Sequence, residues 1–298
     1  MDALNFSLPN ALRAGLAGDR RAWPIRSLAS RPAEPPLGRI GTLEVRLARG
    51  SAEIRAAQAL RYRVFFEEMS AQANWLQRLR RLDQDRFDRH CDHMIVVDRA
   101  LPGSIAERIV GTYRVMRGEK AAAAGGFYTQ TEFDIAPLLA AHAERRFLEL
   151  GRSCVLKPYR GKRTAELLWQ GIWAYVLQHR IDALFGCASL PGVDLVALAP
   201  VLAQLREAAL APPEWRAEAR PERRARVADN APALDPRRAL AGLPPLVKGY
   251  LRVGAYVGDG AVVDHHFGTT DVLVVLPVER ISARYIEHYG ADAGRFAA

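Results

Sequence analysis

The segment from Phe147 to His179 constrains the fold more than any other part of the chain. The largely apolar run Phe147 to Leu156 predicts a strand, and Thr164 to His179 repeats apolar residues at helical spacing. Between them lies the basic, glycine-containing turn Tyr159 to Thr164. A strand followed by a short turn and an amphipathic helix predicts an α/β unit, in which the helix packs on a sheet.

The rest of the chain alternates between strand and helix signals. This order predicts the α/β class, as a mixed α+β arrangement of one twisted sheet with helices on its faces. The further strands are predicted at Leu43 to Ala48, His93 to Asp98, Ile109 to Met116, Ala183 to Leu190, Leu246 to Val257 and Thr270 to Leu276. The further helices are predicted at Ser51 to Phe66, with Ser51 as the N-cap, and at Ala136 to Arg145, Val193 to Leu210 and Ser282 to Tyr289.

Composition divides the chain into an arm and one domain. Residues 1–38 end in a proline-rich stretch and predict a flexible N-terminal arm, although Leu and Trp interspersed with Arg also suit an amphipathic surface anchor. Residues 39–298 are predicted to form a single folded domain. Within it, residues 212–240 are rich in Arg, Pro and Ala and predict a long loop insertion.

The positive net charge of the chain indicates which binding partners are favoured. A formal net charge of +9 favours acidic partners such as carrier proteins or anionic lipid head groups. The sequence contains no helix-turn-helix or zinc-finger pattern, so we expect no nucleic-acid partner. The three cysteines are widely spaced and form no disulfide framework, which fits a reducing compartment.

No stretch of the sequence predicts a membrane span or a secretory signal. The longest apolar run, Val272 to Val278, is far shorter than the roughly 20 residues that a spanning helix needs. Charged residues interrupt the start of the chain, where a signal would need a continuous apolar core. We therefore expect a cytoplasmic protein. A peripheral contact with the inner face of an anionic membrane stays an open alternative.

The turn before the long predicted helix has the chemistry of a phosphate site. A helix N-terminus presents unpaired N–H groups and a positive dipole end, and Gly161 allows a ligand to approach the backbone closely. Arg160, Lys162 and Arg163 add positive charge. The spacing differs from that of a nucleotide-binding P-loop. The alternative is a solvated basic turn in front of a surface helix.

Two charged residues interrupt the apolar strand that precedes this turn. A carboxylate such as that of Glu149 is costly to bury unless it is paired or has a function. Beside a phosphate site, a glutamate with a raised pKa can deprotonate an amine. A structural ion pair between Glu149 and Arg152 is the alternative.

A second polar cluster lies upstream and is mainly acidic. Its spacing matches no recognised metal site, so we predict no metal. The carboxylates suit the recognition of a cationic substrate or the positioning of Arg61, Arg63 or Arg114, and plain solvation of a loop would leave the same pattern. The cluster comprises Asp83, Asp85, Asp88 and Asp92, together with His90 and His93.

Several motifs between about residues 43 and 289 carry a family resemblance. They are Leu60 to Phe65 (LRYRVF), Cys91 to Val96 (CDHMIV), Gly111 to Arg114 (GTYR), Glu149 to Lys162 (ELGRSCVLKPYRGK), Phe185 to Gly192 (FGCASLPG) and Lys248 to Ala255 (KGYLRVGA). In this order they resemble the ornithine N-acyltransferases, bacterial enzymes that make lyso-ornithine lipid in the first step of ornithine lipid synthesis.

The same pieces are similar, more distantly, to the acyl-homoserine lactone synthases. Both families imply a GNAT-like fold of the kind that acyl-CoA and acyl carrier protein N-acyltransferases share. The interval from Phe65 to Trp75 is longer here than in the synthases, and the motif from Lys248 favours the ornithine enzymes. The synthase pattern of Arg-x-x-Val-Phe, Trp, Asp-x-x-Asp, a central Arg and Glu-x-x-Arg corresponds to Arg61, Val64, Phe65, Trp75, Asp85, Asp88, Arg114, Glu149 and Arg152.

The resemblance implies direct aminolysis of a thioester. The donor would be a 3-hydroxyacyl group on the phosphopantetheine of acyl carrier protein, the acceptor the α-amine of L-ornithine, and no other cofactor would be bound. Glu149 would act as the base, with Arg152 as its catalytic companion. Backbone N–H groups near Cys154 and Val155 would meet the oxyanion where the strand is expected to splay. The phosphate of the arm would bind at Arg160, Gly161, Lys162 and Arg163.

The acceptor would need both an anion site and a cation site. Arg114 or Arg152 would hold the carboxylate of ornithine, because a guanidinium binds it in a bidentate manner. Asp85, Asp88 or Asp92 would receive the side-chain ammonium, and Arg61 completes the substrate-binding set. A Cys154 nucleophile is disfavoured because no histidine partner is evident.

Two other functions stay open at this stage. The first is an acyl-homoserine lactone synthase or another N-acyltransferase that depends on acyl carrier protein. The second is a GNAT-like module that binds a carrier protein or a membrane without catalysis.

Overall fold

The fold is dominated by one sheet, seen in a computed structural model that describes residues 35–227, 242–282 and 285–286. The strands are β1 (Gly38–Ile40), β2 (Leu43–Leu47), β3 (Asp92–Asp98), β4 (Ile109–Arg117), β5 (Phe133–Asp134), β6 (Phe147–Val155), β7 (Ala183–Pro191), β8 (Glu218–Ala219), β9 (Tyr256–Val257), β10 (Val262–Asp264) and β11 (Thr269–Pro277). Within the described ranges, nine of them form a sheet in the order β1, β2, β3, β4, β6, β7, β11, β10, with β9 also on β11. Strands β5 and β8 pair separately.

The helices of the described residues differ in length. They are α1 (Ser51–Tyr62), α2 (Trp75–Arg80), α3 (Ile105–Arg108), α4 (Gly118–Ala124), α5 (Ala136–Ala141), α6 (Lys162–His179), α7 (Leu195–Ala209) and α8 (Pro245–Arg252). Three of them, α1, α6 and α7, have 12 or more residues, and the others are shorter. None of these described helices combines the length and the apolarity that crossing a bilayer requires. The elements therefore alternate as the sequence predicted, and the mixed α/β class is confirmed.

Helix α6 covers one face of the sheet. Its buried Leu167, Ile172 and Tyr175 belong to a core that also contains Val45 and Met94 of the strands. The helix approaches the strands closely at residue 171, where glycine is needed because a Cβ atom would lie 2.9 Å from Val45 and 3.0 Å from Met94. This close packing fixes the middle of α6 against β2 and β3.

A second hydrophobic core is formed by residues of β5, α5, β7 and β11 and by the segment around Trp215. Phe133, Leu138, Trp215 and Leu273 are buried there, and Phe127 packs edge-on against Phe185 at a ring-centroid distance of 4.9 Å. This core holds the 3₁₀ turn Tyr128–Thr131 against β6 and β7. That turn supplies groups to the site described below.

Most predicted elements are confirmed, with one clear error. The run Leu246 to Val257 was predicted as a strand, but Pro245–Arg252 is α8, and only Tyr256–Val257 is extended. Pro244 and Pro245 start the helix, where a missing N–H costs nothing. The N-cap of α1 is Gly50 and not Ser51. The predicted helix from Ala136 ends at Ala141.

Three predicted segments fall partly or wholly outside the described residues. Of the predicted arm, residues 1–34 lie outside, and its last residue, Gly38, begins β1. Of the predicted insertion, residues 228–240 lie outside, while Trp215, Ala217 and Ala219 in its first part are buried. Most of the helix predicted at Ser282 to Tyr289 also lies outside.

Candidate active site

The central feature of the site is a divergence of two neighbouring strands. The parallel strands β6 and β7 pair only at Phe147–Ala183, Leu148–Leu184 and Glu149–Phe185. Beyond Glu149, β6 continues along β4 and β7 continues along β11, so the two strands separate. Gly186 stands at the point of divergence, and a Cβ atom there would overlap the carbonyl oxygen of Leu150. The sheet therefore opens into a cleft.

A pocket lies in this cleft. It is lined by residues of β7, including Gly186, Cys187 and Ala188, and by the side chains of Tyr113 and Tyr250. The two tyrosine hydroxyls are buried and lie 2.6 Å apart. The lining is mostly apolar and continues into the core beneath α6. Apolar side chains and the two tyrosine hydroxyls thus lie beside β7 where it leaves β6.

Glu149 lies where the strands part and is almost completely buried. Its two carboxylate oxygens accept hydrogen bonds from the backbone N–H groups of Tyr128 (3.1 Å) and Thr129 (2.7 Å). Burial raises the pKa of Glu149, although these N–H groups oppose the rise. The residue therefore anchors the 3₁₀ turn, and it holds a proton more readily than an exposed glutamate.

Arg61 and Arg114 are buried in a network of carboxylates. Arg61 donates to Asp83 at 2.8 Å and to Asp88 at 2.9 Å. Arg114 donates to both oxygens of Asp85 at 2.7 Å and lies 3.2 Å from Asp88. Although burial opposes it, the coulombic attraction of Arg61 and Arg114 lowers the pKa of Asp88. The structure thus brings together four of the predicted substrate-binding residues, as mutual partners.

Arg152 completes this network and faces the mouth of the cleft. Its guanidinium lies 3.4 Å from Asp83 and 3.5 Å from Asp85, and it lies over the rings of Tyr128 (4.9 Å) and Phe267 (4.7 Å). Its buried Nε atom makes no hydrogen bond within the described structure. Within the residues that the structure describes, Glu149 and Arg152 do not form the ion pair that was the alternative interpretation. The Nε atom of Arg152 is the one that lies 3.4 Å from Asp83, so Arg152 is held by ion pairs with the aspartates and by its ring contacts.

The backbone aims Arg152 out of the regular strand. The register of β4 against β6 shifts between Thr112 and Arg114, so β6 bulges there, and Arg152 adopts a left-handed φ of 51°. A non-glycine residue in this region is uncommon outside helix ends and turns, and inside a strand it is a strained conformation of the kind that clusters at functional sites. The predicted irregularity of this strand is therefore present, two residues before Cys154.

Asp92 lies in a different environment from the other predicted aspartates. It accepts a 2.6 Å hydrogen bond from the hydroxyl of Tyr175 on α6 and lies 3.8 Å from Arg117. Neither partner belongs to the network around Arg61 and Arg114. The structure therefore does not bring Asp92 to Asp85 and Asp88.

Three further carboxylates, absent from the sequence-based set, converge beside Cys187. We call Glu132, Asp264 and Asp271 the acidic trio, because one oxygen of each lies within 4.8 Å of the others. Burial raises the pKa of Glu132 to about 7 and also raises the pKa of Asp271. Asp271 carried a usable signal, since it is a lone charge at the edge of the most apolar run of the sequence. The sequence around Glu132 contains no such signal, because the turn that positions Glu132 depends on tertiary contacts.

The acidic trio also bears on the prediction that no metal is bound. Carboxylate oxygens at such distances can hold a cation, and three clustered carboxylates need one when they are buried. The absence of a metal therefore stays a prediction.

The basic turn stands at the start of α6, as predicted. Gly161 is the N-cap, no side chain caps the helix, and Lys162 and Arg163 are exposed. Arg160 is engaged, because its Nε donates to the carbonyl of Val155 at 2.8 Å and its guanidinium pairs with Glu68. Gly161 has an extended φ of −144°, and a Cβ atom there would meet nothing within 4 Å. Neither backbone strain nor a packed neighbour requires glycine at this position in the described structure, so the phosphate site stays a prediction.

The cysteines do not have the properties of a nucleophile. Cys154 is buried, and burial raises the pKa of its thiol. Burial also raises the pKa values of Cys91 and Cys187. Since the thiolate is the reactive form, none of the three cysteines favours a covalent acyl-enzyme.

Comparison with known proteins agrees with this architecture. The family model described as Acetyltransferase (GNAT) domain matches residues 60–170, which run from the end of α1 through β3, β4 and β6 to the first half of α6. A sheet of mainly antiparallel strands with one splayed parallel pair is the form of such a domain. The fold and the site therefore define an N-acyltransferase of the GNAT type.

The particular family follows from closer relatives. The chain is 55% identical over 92% of its length to the L-ornithine N(alpha)-acyltransferase of Rhizobium meliloti (strain 1021), and the match covers 93% of that protein. It is 54% identical over 91% of its length to the enzyme of the same name from Agrobacterium fabrum (strain C58 / ATCC 33970), covering 92% of it. The chain belongs to the L-ornithine N(alpha)-acyltransferase family, so the predicted family is confirmed.

One solved structure with a similar fold is the acyl-homoserine lactone synthase LasI. It superposes with a TM-score of 0.43 at 13% sequence identity, over 84% of this chain and 96% of that one.

Proposed function

We propose that the protein transfers a fatty acyl group from the thioester of acyl carrier protein to the α-amine of L-ornithine. The product would be an N-acylated ornithine, lyso-ornithine lipid. The observation that carries the proposal is the 55% identity to an L-ornithine N(alpha)-acyltransferase across 92% of the chain. The cleft between β6 and β7 supports it, because a thioester arm needs an opening in the sheet of this kind.

The donor arm is proposed to run along β6 from the cleft to the basic turn. Glu149 and Val155 are six residues apart, which corresponds to about 20 Å of extended strand. From Leu150 onward, the edge of β6 that faces the cleft is not paired with β7. Phosphopantetheine is a long arm with amide groups, which such an edge can bind. Its phosphate would meet the uncapped start of α6 beside Lys162 and Arg163.

The chemistry is proposed to be direct aminolysis. The acceptor α-amine loses a proton and attacks the thioester carbonyl, the tetrahedral intermediate collapses, and the carrier leaves as a thiolate that takes up a proton. Glu149 is the proposed base, since its raised pKa and its place at the point of divergence suit proton transfer. Arg152 is proposed to hold the acceptor carboxylate, because a guanidinium binds a carboxylate in a bidentate manner and this one lies over the ring of Tyr128, whose backbone N–H contacts Glu149.

The test is a reconstituted reaction with the purified chain, 3-hydroxyacyl carrier protein and L-ornithine, followed by mass spectrometry. We expect an N-acylornithine. Consumption of S-adenosylmethionine with release of a lactone would assign the chain instead to the synthase chemistry. Binding of the carrier without any amide product would identify a non-catalytic module, and equal use of acyl-CoA would remove the carrier protein as the specific donor.

The reaction is proposed to take place in the cytoplasm, against the inner face of the membrane. Trp75 and Leu79 of α2 are exposed, as is Met69 just before it, and Arg78 and Arg80 lie on the same short helix. Aromatic and aliphatic side chains flanked by arginine suit the boundary of an anionic bilayer.

Vesicle sedimentation tests this placement. We expect binding to vesicles with anionic lipid and little binding to neutral ones, and a clear loss of binding for Trp75→Ala with Leu79→Ala. Val196→Ala, which removes another exposed apolar side chain on α7, is the matched control. Equal sedimentation of both variants would exclude α2 as the contact.

A further inference from the structure

We propose that the acidic trio, Glu132, Asp264 and Asp271, binds the side-chain ammonium of the amino-acid acceptor and thereby selects a cationic amino acid. The inference rests on the proposed function, because it names the part of the same site that recognises the far end of the acceptor.

The trio has the composition of a cation-binding site. Glu132 is 1% exposed and Asp271 is 5% exposed, and one oxygen of each lies within 4.8 Å of an oxygen of Asp264. In the described part of the chain, no basic side chain forms an ion pair with any of the three. The Oε2 atom of Glu132 is buried and has no hydrogen-bond partner within those ranges. Buried carboxylates require pairing, so a cationic ligand would stabilise this arrangement.

The other acidic cluster of the site is already neutralised. Asp83, Asp85 and Asp88 face the three guanidinium groups of Arg61, Arg114 and Arg152. An ammonium added there would meet three positive charges. The aspartates that the sequence suggested for the side-chain ammonium are therefore poorly suited to it, whereas the trio is suited.

The trio is joined to the reacting end of the site by direct contacts. The hydroxyl of Tyr128 donates to Glu132 at 3.2 Å, and the backbone N–H of the same residue donates to Glu149 at 3.1 Å. The guanidinium of Arg152 lies over the ring of Tyr128 and over that of Phe267, whose N–H donates to Asp264 at 3.1 Å.

The trio and the proposed carboxylate site at Arg152 thus share Tyr128 and Phe267 as neighbours. An acceptor with a carboxylate at one end and an ammonium at the other matches both.

The experiment compares L-ornithine with L-norvaline, which has the same carbon chain and no terminal amine. Initial rates are measured for the wild type, Glu132→Gln and Asp271→Asn, with Glu119→Gln as the control at an exposed position. Both test substitutions keep one oxygen as an acceptor, for Tyr128 or Cys187 at position 132 and for Thr269 or Ser189 at position 271. We expect kcat/KM for ornithine to fall about 10- to 100-fold in each, while kcat/KM for norvaline stays constant or rises.

Several outcomes would overturn the inference. The first is an unchanged preference for ornithine over norvaline in both variants. The second is loss of ornithine acylation on chelation with recovery on adding Mg²⁺, which would assign the trio to a metal. A wild type that acylates neither amino acid would refute the proposed function, and calorimetric binding of ornithine to the same proteins would then decide the inference separately. Thermal melts confirm that each variant is folded.

Discussion

The substitution Glu132→Gln should make the unliganded protein more stable, and increasingly so as the pH rises. Burial and the neighbouring carboxylate of Asp271 raise the pKa of Glu132 from 4.5 to about 7. Each pKa unit corresponds to about 1.4 kcal/mol, so ionising this group in the folded state costs about 3 kcal/mol relative to the unfolded chain. Glutamine is never ionised and escapes that cost, while its oxygen still accepts from the hydroxyl of Tyr128.

The sign of the pH dependence follows from the direction of the shift. Because the folded-state pKa of Glu132 is raised, the folded protein binds the proton more tightly than the unfolded chain. The wild type therefore loses this contribution to stability as the pH rises from about 4.5 through about 7, and the variant does not. We expect the two proteins to have similar unfolding free energies at pH 4.5 and to differ by about 3 kcal/mol at pH 8.

Urea unfolding without ornithine, at pH 4.5, 6 and 8, measures the difference. Glu119→Gln makes the same chemical change at an exposed position, where it removes a surface ion pair with Arg117, and should stay within about 1 kcal/mol of the wild type at every pH. Comparing the variant with the wild type at each pH cancels the other titrating groups to first order. A constant difference across the series, or a less stable variant at pH 8, would refute the assignment of an uncompensated carboxylate at position 132.

Three further substitutions test the rest of the site. Gly186→Ala should destabilise the protein by about 1–3 kcal/mol and reduce acyl transfer, because its Cβ atom would overlap the backbone of β6; unchanged melting and turnover would contradict the close approach. Glu149→Gln should lower kcat about 100-fold or more and flatten the acid limb of the pH–rate profile. It should also cost about 1–3 kcal/mol, since an amide can accept only one of the two backbone N–H bonds; a normal kcat would exclude the base. Lys162→Ala with Arg163→Ala should raise KM for acyl carrier protein about 10-fold at unchanged kcat, with Lys120→Ala as the control; an unchanged KM would exclude the phosphate site.

The elements of this fold were predictable where a short stretch of sequence decides them. The strand, turn and helix between Phe147 and His179 came out within two residues, because apolar periodicity and one basic turn specify them locally. The error at Leu246 to Val257 has the opposite cause. Its apolar content suits a strand, but the proline pair before it and the burial of Val247 and Tyr250 on one side favour a helix.

The site residues on β6 were predictable from the sequence, whereas those placed by the 3₁₀ turn Tyr128–Thr131 were not. Glu149 and Arg152 are polar residues inside an apolar run, which is a signal that the sequence itself contains. Glu132 gains its position from a 3₁₀ turn that is held by Glu149 across 20 residues of chain. The sequence named Asp85 and Asp88 but did not fix their arginine partners, and it did not name the acidic trio, so it suggested the ammonium site among aspartates that arginines already occupy.

The two acidic clusters give a physical account of how this cleft can discriminate between amino acids. Around Arg152, three carboxylates face three guanidinium groups. The charges in this half of the site are therefore balanced before any substrate enters. In the acidic trio the balance is incomplete within the described residues, and burial makes the deficit costly. An acceptor with a neutral side chain would fill the space and leave that cost in place, whereas an ammonium would remove it. The preference for a cationic amino acid would then arise mainly from the penalty on the wrong substrate, which is how a buried polar site achieves larger discrimination than an apolar pocket.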